Sequence, residues 1–244
     1  MSRESPRWRR RVLRLLMVLG LLLLAFVVAG ASYLWSLPVV GDAPARVTRI
    51  LSEHQAPADP MPPPRRLGEA VVAVEDEHFY SNVVFNTFDG AARAGIATLR
   101  RRGDPGGSTI AQQLAKQLWP QAPGLSATLQ EIGLGVKLSV AFSKPRILSM
   151  YLNAVYYGHG YYGDTAAAKG YFGVPPDRLS WAEASLLAGL LQAPSDYDPF
   201  EHLALAKERQ RHVLSQLVVN HDLTPAEAAA AYAARLPLRG GSPG

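Results

Sequence analysis

The 244-residue chain has a formal net charge of +5, but six arginines in residues 1–14 set against Glu4 account for all of it, and the remainder is neutral. A folded domain without a basic excess lacks the electrostatic footprint of nucleic-acid binding. The absence of cysteine excludes a disulfide framework, a thiolate nucleophile and a thiolate metal centre, and the length suits one domain with a sizeable core.

Residues 1–14 form a basic arm, and residues 15–35 contain no charged side chain. As a helix these 21 residues extend about 32 Å at about 1.5 Å each, close to the roughly 30 Å of a bilayer's hydrocarbon core. The arginines before the span belong on the cytoplasmic side, which places everything after Trp35 outside the cytoplasm. Ala29-Gly30-Ala31 offers the alternative of a cleaved leader, and the domain is exported in either case.

Residues 36–66 are rich in proline, ending near Met61-Pro62-Pro63-Pro64, and are expected to form a partly extended stalk. From residue 67 apolar positions fall at helical spacing through Ala70, Val71, Val74 and Phe79, which places Glu75 late in a helix or just beyond it. A further helix is expected over residues 90–102, closing in three arginines before Gly103. A turn over residues 103–107 then leads into Ser108 and Thr109, a cap for the helix carrying Gln112, Gln113 and Lys116.

Residues 126–142 are helical despite two glycines, and Pro145 suits the first turn of a helix through Asn153. Two later helices announce themselves through capping boxes, Ser180 with Glu183 and Thr224 with Glu227. No run of alternating β-branched residues occurs, so the expected fold is mainly α. The glycine-rich run over residues 158–163 lacks the strand-to-helix context of a dinucleotide site. The histidines show no metal-ligand spacing and read as surface or loop residues.

Two carboxylates, Glu75 and Glu131, bracket the polar block Gly106-Gly107-Ser108-Thr109-Ile110-Ala111-Gln112-Gln113-Leu114-Ala115-Lys116, a pattern suited to acid/base chemistry on a sugar or phosphate. Glu75-Asp76-x-x-Phe79, Gly107-Ser108-Thr109-Ile110-x-Gln112-Gln113, Glu131, Lys144-x-x-Ile147-Leu148-x-x-Tyr151-Leu152-Asn153 and Arg209-x-Arg211-x-Val213-Leu214 resemble, in order, the five motifs of the peptidoglycan glycosyltransferases of glycosyltransferase family 51. Tyr171-Phe172-Gly173 and Leu187-Ala188-Gly189-Leu190 resemble further signatures of that family. The resemblance covers about residues 67–232, with residues 233–244 as a tail. It departs at Asn82 and Val84, where the family continues to histidine and glycine, at Ala111, where it usually has threonine, and at Ala127 and Thr128, where it has arginine and lysine.

The resemblance implies a lysozyme-like domain, anchored on the outer side of a bacterial inner membrane, that polymerises lipid II with inversion and releases a polyprenyl diphosphate. It assigns the base to Glu75 and a second acid near the leaving group to Glu131. Asp76, Arg93, Ser108, Thr109, Gln113 and Lys116 are the substrate-binding candidates, the cations and donors among them meeting the diphosphate. A magnesium or manganese ion could bridge a carboxylate and the diphosphate oxygens. The implied partners are lipid II, the growing glycan strand, the membrane and a separate transpeptidase.

Val83, Val84, Phe85 and Phe88 match a stretch that in this family lies near the membrane, whereas Asn153, Tyr151 and Arg209 are expected to serve the core or helix ends. No serine is followed by lysine three residues later, no Lys-Thr-Gly occurs, and the residues after Arg209 are too few for a second domain, so a monofunctional chain is expected. Two alternatives accompany this expectation: a non-catalytic scaffold that holds lipid II or a glycan strand, and a lysozyme-like hydrolase acting on finished strands.

Overall fold

A computed structural model describes residues 7–58, 62–80 and 108–239. Arg7–Ser36 forms α1, and its stretch Arg11–Ser36, with mean hydropathy 2.8 and no buried side chain, is long and apolar enough to cross a membrane. It belongs to a unit of its own, Met1–Pro38, while Val39–Gly244 forms a second.

The second unit begins with a departure from the expected stalk. Ala43–Glu53 is a helix, α2, with Pro44 in its first turn. Ala43, Val47 and Leu51 recur every fourth residue, so they share one face, and all three are buried. That face packs on a later helix, α6 (Lys144–Ala154). The prolines mark the entry to the helix rather than a continuous extended segment.

Helix α3 spans Arg65–Glu75 and buries Leu67, Gly68, Ala70, Val71, Val72 and Ala73, so Glu75 is its last residue. Phe79, 1% exposed, closes the turn that follows. Helix α4 (Ile110–Leu118) starts from a complete capping box: the Thr109 hydroxyl accepts from the Gln112 N–H at 3.2 Å, and Gln112 Oε1 accepts from the Thr109 N–H at 3.0 Å. At its other end, the Arg46 guanidinium of α2 donates to the Leu118 carbonyl at 3.2 Å and lies over the Trp119 ring. A cation there satisfies an otherwise orphaned carbonyl and suits the negative end of the helix dipole.

Helix α5 spans Leu125–Ala141 and packs along α4. A Cβ on Gly135 would stand 2.9 Å from Gln112 Cγ and 3.2 Å from the Gln112 nitrogen, so the missing side chain permits the close approach. In α6, Pro145 occupies the first turn and Ile147 through Ala154 are all buried. Asp164–Phe172 forms α7, and a short 3₁₀ turn, Pro176–Arg178, precedes α8 (Trp181–Leu190).

Helix α8 is apolar around its circumference, as a helix enclosed on all sides requires, and both α3 and α9 (Leu203–Val219) pack on it. α10 (Pro225–Ala233) covers α9. The capping boxes expected at Ser180/Glu183 and Thr224/Glu227 are both formed. Among the described residues there is no strand, only an isolated bridge between Tyr156 and Tyr162. The helices thus gather into two groups, α3 with α8, α9 and α10, and α4 with α2, α5 and α6.

Candidate active site

Where the two groups meet lies a cleft of about 600 Å³, lined by Glu75, Ser108, Gln112, Gln113, Lys116, Glu131 and Tyr151 and by the segment from Leu191 to Tyr197. Each side chain arrives for a local reason. The C-terminal end of α3 delivers Glu75. Asp76, just beyond it, accepts from the Ile110 N–H at 3.1 Å, which ties the end of α3 to the start of α4 and satisfies a free donor of that helix. Gln113 and Lys116 then emerge one turn apart on α4 and face the cleft together.

Glu75 and Gln113 are in contact: Gln113 Nε2 donates to Glu75 Oε2 at 2.8 Å, and Tyr151, 2% exposed, donates its hydroxyl to Gln113 Oε1 at 2.5 Å. Burial, and next the charge of Glu75, push the Tyr151 phenol well above its ordinary range, so it stays protonated. Arg209 on α9 also feels Glu75. Its half-buried guanidinium is lowered by desolvation and raised again by that carboxylate, and its Nε has no hydrogen-bond partner among the described residues.

In the same cleft, partial burial raises Glu131 above the usual carboxylate range, and the nearby Lys116 ammonium opposes the shift. Lys116 is exposed, and neither side chain makes a hydrogen bond to another described residue. Ala127, where the resemblance implies an arginine, is buried, and the Thr128 hydroxyl donates to the Gly124 carbonyl at 3.3 Å within its own helix turn. The lining segment that begins at Leu191 is approached by the loop after α6. Gly158 has φ +87°, and a Cβ there would lie 2.6 Å from the Pro194 carbonyl oxygen. His159 Nδ1 sits 3.1 Å from Asp198 Oδ2.

The cleft therefore gathers Glu75, Glu131, Ser108, Gln113 and Lys116. Asp76 and Thr109, expected as substrate ligands, engage the first turn of α4. Arg93 lies outside the described residues, as do Asn82, Val83, Val84, Phe85, Phe88, the helix expected over 90–102 and the turn over 103–107. Tyr151, expected to serve the core or a helix end, also lines the cleft, together with Gln112 of α4. The sequence signal for Tyr151 was ambiguous, because an aromatic on a buried helix face fits a core equally well. Among the described residues no three histidine or acidic side chains converge as a metal site would require.

Comparison with known proteins bears on residues 45–218, which match the family model described as Transglycosylase. A protein of Cupriavidus necator provisionally named a transglycosylase is 38% identical over 156 residues, covering 64% of this chain and 67% of the relative. Penicillin-binding protein 1A of Mycobacterium tuberculosis is 35% identical over 243 residues, which cover 92% of this chain and 30% of that protein. Penicillin-binding protein 1A of Aquifex aeolicus is 39% identical over 164 residues, covering 66% of this chain and 22% of its own length. The chain thus spans less than a third of the two penicillin-binding proteins it matches.

Proposed function

Because the chain belongs to the transglycosylase family, we propose that it is a membrane-anchored peptidoglycan glycosyltransferase that polymerises lipid II, with its catalytic domain on the outer face of the membrane. The observation that carries this reading is one cleft holding two carboxylates of different environment beside a lysine: Glu75, hydrogen-bonded by Gln113, and Glu131, opposite Lys116. Paired acids in distinct settings suit a reaction in which a proton is taken at one end and negative charge grows at the other.

In that reaction the acceptor's 4-hydroxyl oxygen forms a bond to the donor's anomeric carbon while the bond from that carbon to the diphosphate oxygen breaks. Glu75 accepts the hydroxyl proton, and the electron pair leaves with the polyprenyl diphosphate. Attack from the face opposite the leaving group inverts the anomeric centre. Lys116, Ser108 and Gln113 lie where donors and a cation can meet the departing diphosphate, and Arg93 is a further candidate by motif match. If a divalent ion were held here, Glu131 is the cleft carboxylate that would hold it, and it would supply positive charge beside the departing diphosphate.

The test is to incubate the detergent-solubilised full-length chain with labelled lipid II, with magnesium or with chelator, and to resolve products by size. Long polymer, absent from a Glu75→Gln control, is the expected result, and polymer undiminished in the control would overturn the assignment of the base. A second reading, a scaffold that holds lipid II without turnover, is favoured by Ala127 and Thr128, which put no charge where a cationic pair is expected. Lipid II binding without polymer in any condition would establish it.

A further inference from the structure

Tyr151 makes a hydrogen bond that packing alone does not require. It is buried on α6, a helix packed on both α4 and α2, while it also lines the cleft and donates its hydroxyl to Gln113 Oε1 at 2.5 Å. The same amide donates through Nε2 to Glu75 Oε2 at 2.8 Å. An amide has a donor end and an acceptor end, and reversing it would place its carbonyl oxygen against the carboxylate. A phenol held in its protonated form presents a donor to the carbonyl end and so selects the orientation that gives Glu75 an N–H.

We infer that Tyr151 is a positioning residue for the base: through Gln113 it fixes the donor that orients Glu75 and favours its ionised form. This rests on the glycosyl-transfer reading above. Among the described residues, the charged and titratable groups that act on Glu75 or share its cleft are Tyr151 on α6, Arg209 on α9, Lys116, Glu131, Tyr156 and Tyr197. Of these, Tyr151 alone makes a hydrogen bond to Gln113 among the described residues.

The test compares the unaltered full-length chain with Tyr151→Phe, Gln113→Ala and the double variant by two measurements. The first is the pH at which Glu75 becomes half-labelled by a carbodiimide, read by mass spectrometry; carbodiimides react with the protonated acid, and no turnover is needed. The second is the pH profile of lipid II polymerisation. Tyr151→Phe keeps the ring and removes the donor, so the labelling midpoint and the acid limb of kcat should both move to higher pH by about one unit. kcat near neutrality should fall about tenfold while KM stays within about twofold. In the Gln113→Ala background the same substitution should add nothing, because the route through the amide is already cut.

A labelling midpoint unmoved by Tyr151→Phe, or additive effects in the double variant, would overturn the inference and leave Tyr151 as core packing. If the unaltered chain makes no polymer, the proposed function fails, and the labelling midpoints still decide the relay.

Discussion

On the wall of the cleft that carries Glu75, the carboxylate is reached through hydrogen bonds, from Tyr151 to Gln113 to Glu75. Around Lys116 and Glu131 in the same cleft, the ammonium is exposed and neither group makes a hydrogen bond to a described residue. A base must present its oxygen within a few tenths of an ångström at the moment of proton transfer, so its neighbours are fixed in advance. A charged surface meant for a flexible diphosphate acts over a longer range and tolerates exchange among its members. The departures at Ala127 and Thr128 fall near the start of α5, the helix that also carries Glu131, whereas Glu75, Gln113 and Tyr151 all match the expected motifs.

The largest break in this comparison is expected from Glu75→Gln, which removes the proton acceptor while keeping the amide's shape. Polymerisation should fall by about 10² to 10⁴-fold, measured as lipid II consumed under single-turnover conditions. Lys116→Ala should cost less, about ten- to a hundredfold in kcat/KM. Because the lysine is exposed, the remaining difference between it and the unaltered chain should shrink as ionic strength rises, and a deficit independent of salt would count against an open, screened site.

Beside the cleft stands the approach of α5 to α4. Gly135→Ala would press a Cβ against Gln112 and force the helices apart, with an expected destabilisation of about 1–3 kcal/mol in denaturant unfolding. Thr109→Ala removes the α4 cap and should cost about 1 kcal/mol, near 2–4 °C in thermal midpoint for a domain of this size.

The smallest effect concerns Glu131. Its folded-state affinity for a proton is raised, so the folded chain binds more proton than the unfolded chain just above the usual carboxylate range, and stability falls as pH rises through that window. Glu131→Gln should therefore raise the thermal midpoint slightly at neutral pH, by less than about 2 °C given its partial exposure. The gain should vanish in acid below the ordinary carboxylate range.

Much of the fold was legible where structure is decided within a few residues. Thr109 with Gln112, Ser180 with Glu183 and Pro145 in a first turn are contacts between neighbours in sequence, and the chain forms each of them. The two acids were legible for another reason, the order and spacing of the motifs around them. What could not be read were consequences of tertiary approach. Tyr151 is apolar in pattern and polar in effect, because only the placement of α4 beside α6 brings an amide to its hydroxyl. Asp76 reads as a ligand beside Glu75, and only the approach of α4 adds that one of its oxygens accepts from the Ile110 N–H. The apolar face of α2 was masked by flanking prolines and intervening arginines, although Ala43, Val47 and Leu51 keep a regular step.

That overlooked helix changes where the domain begins. With Arg46 closing the end of α4 and Val47 and Leu51 buried, a fragment starting at residue 67 would lose the guanidinium at Leu118, bare an apolar strip of α6 and discard the first two residues of α3. The smallest fragment able to fold and be studied without its membrane helix therefore starts near Val39, and shorter versions are expected to aggregate rather than merely lose a tether.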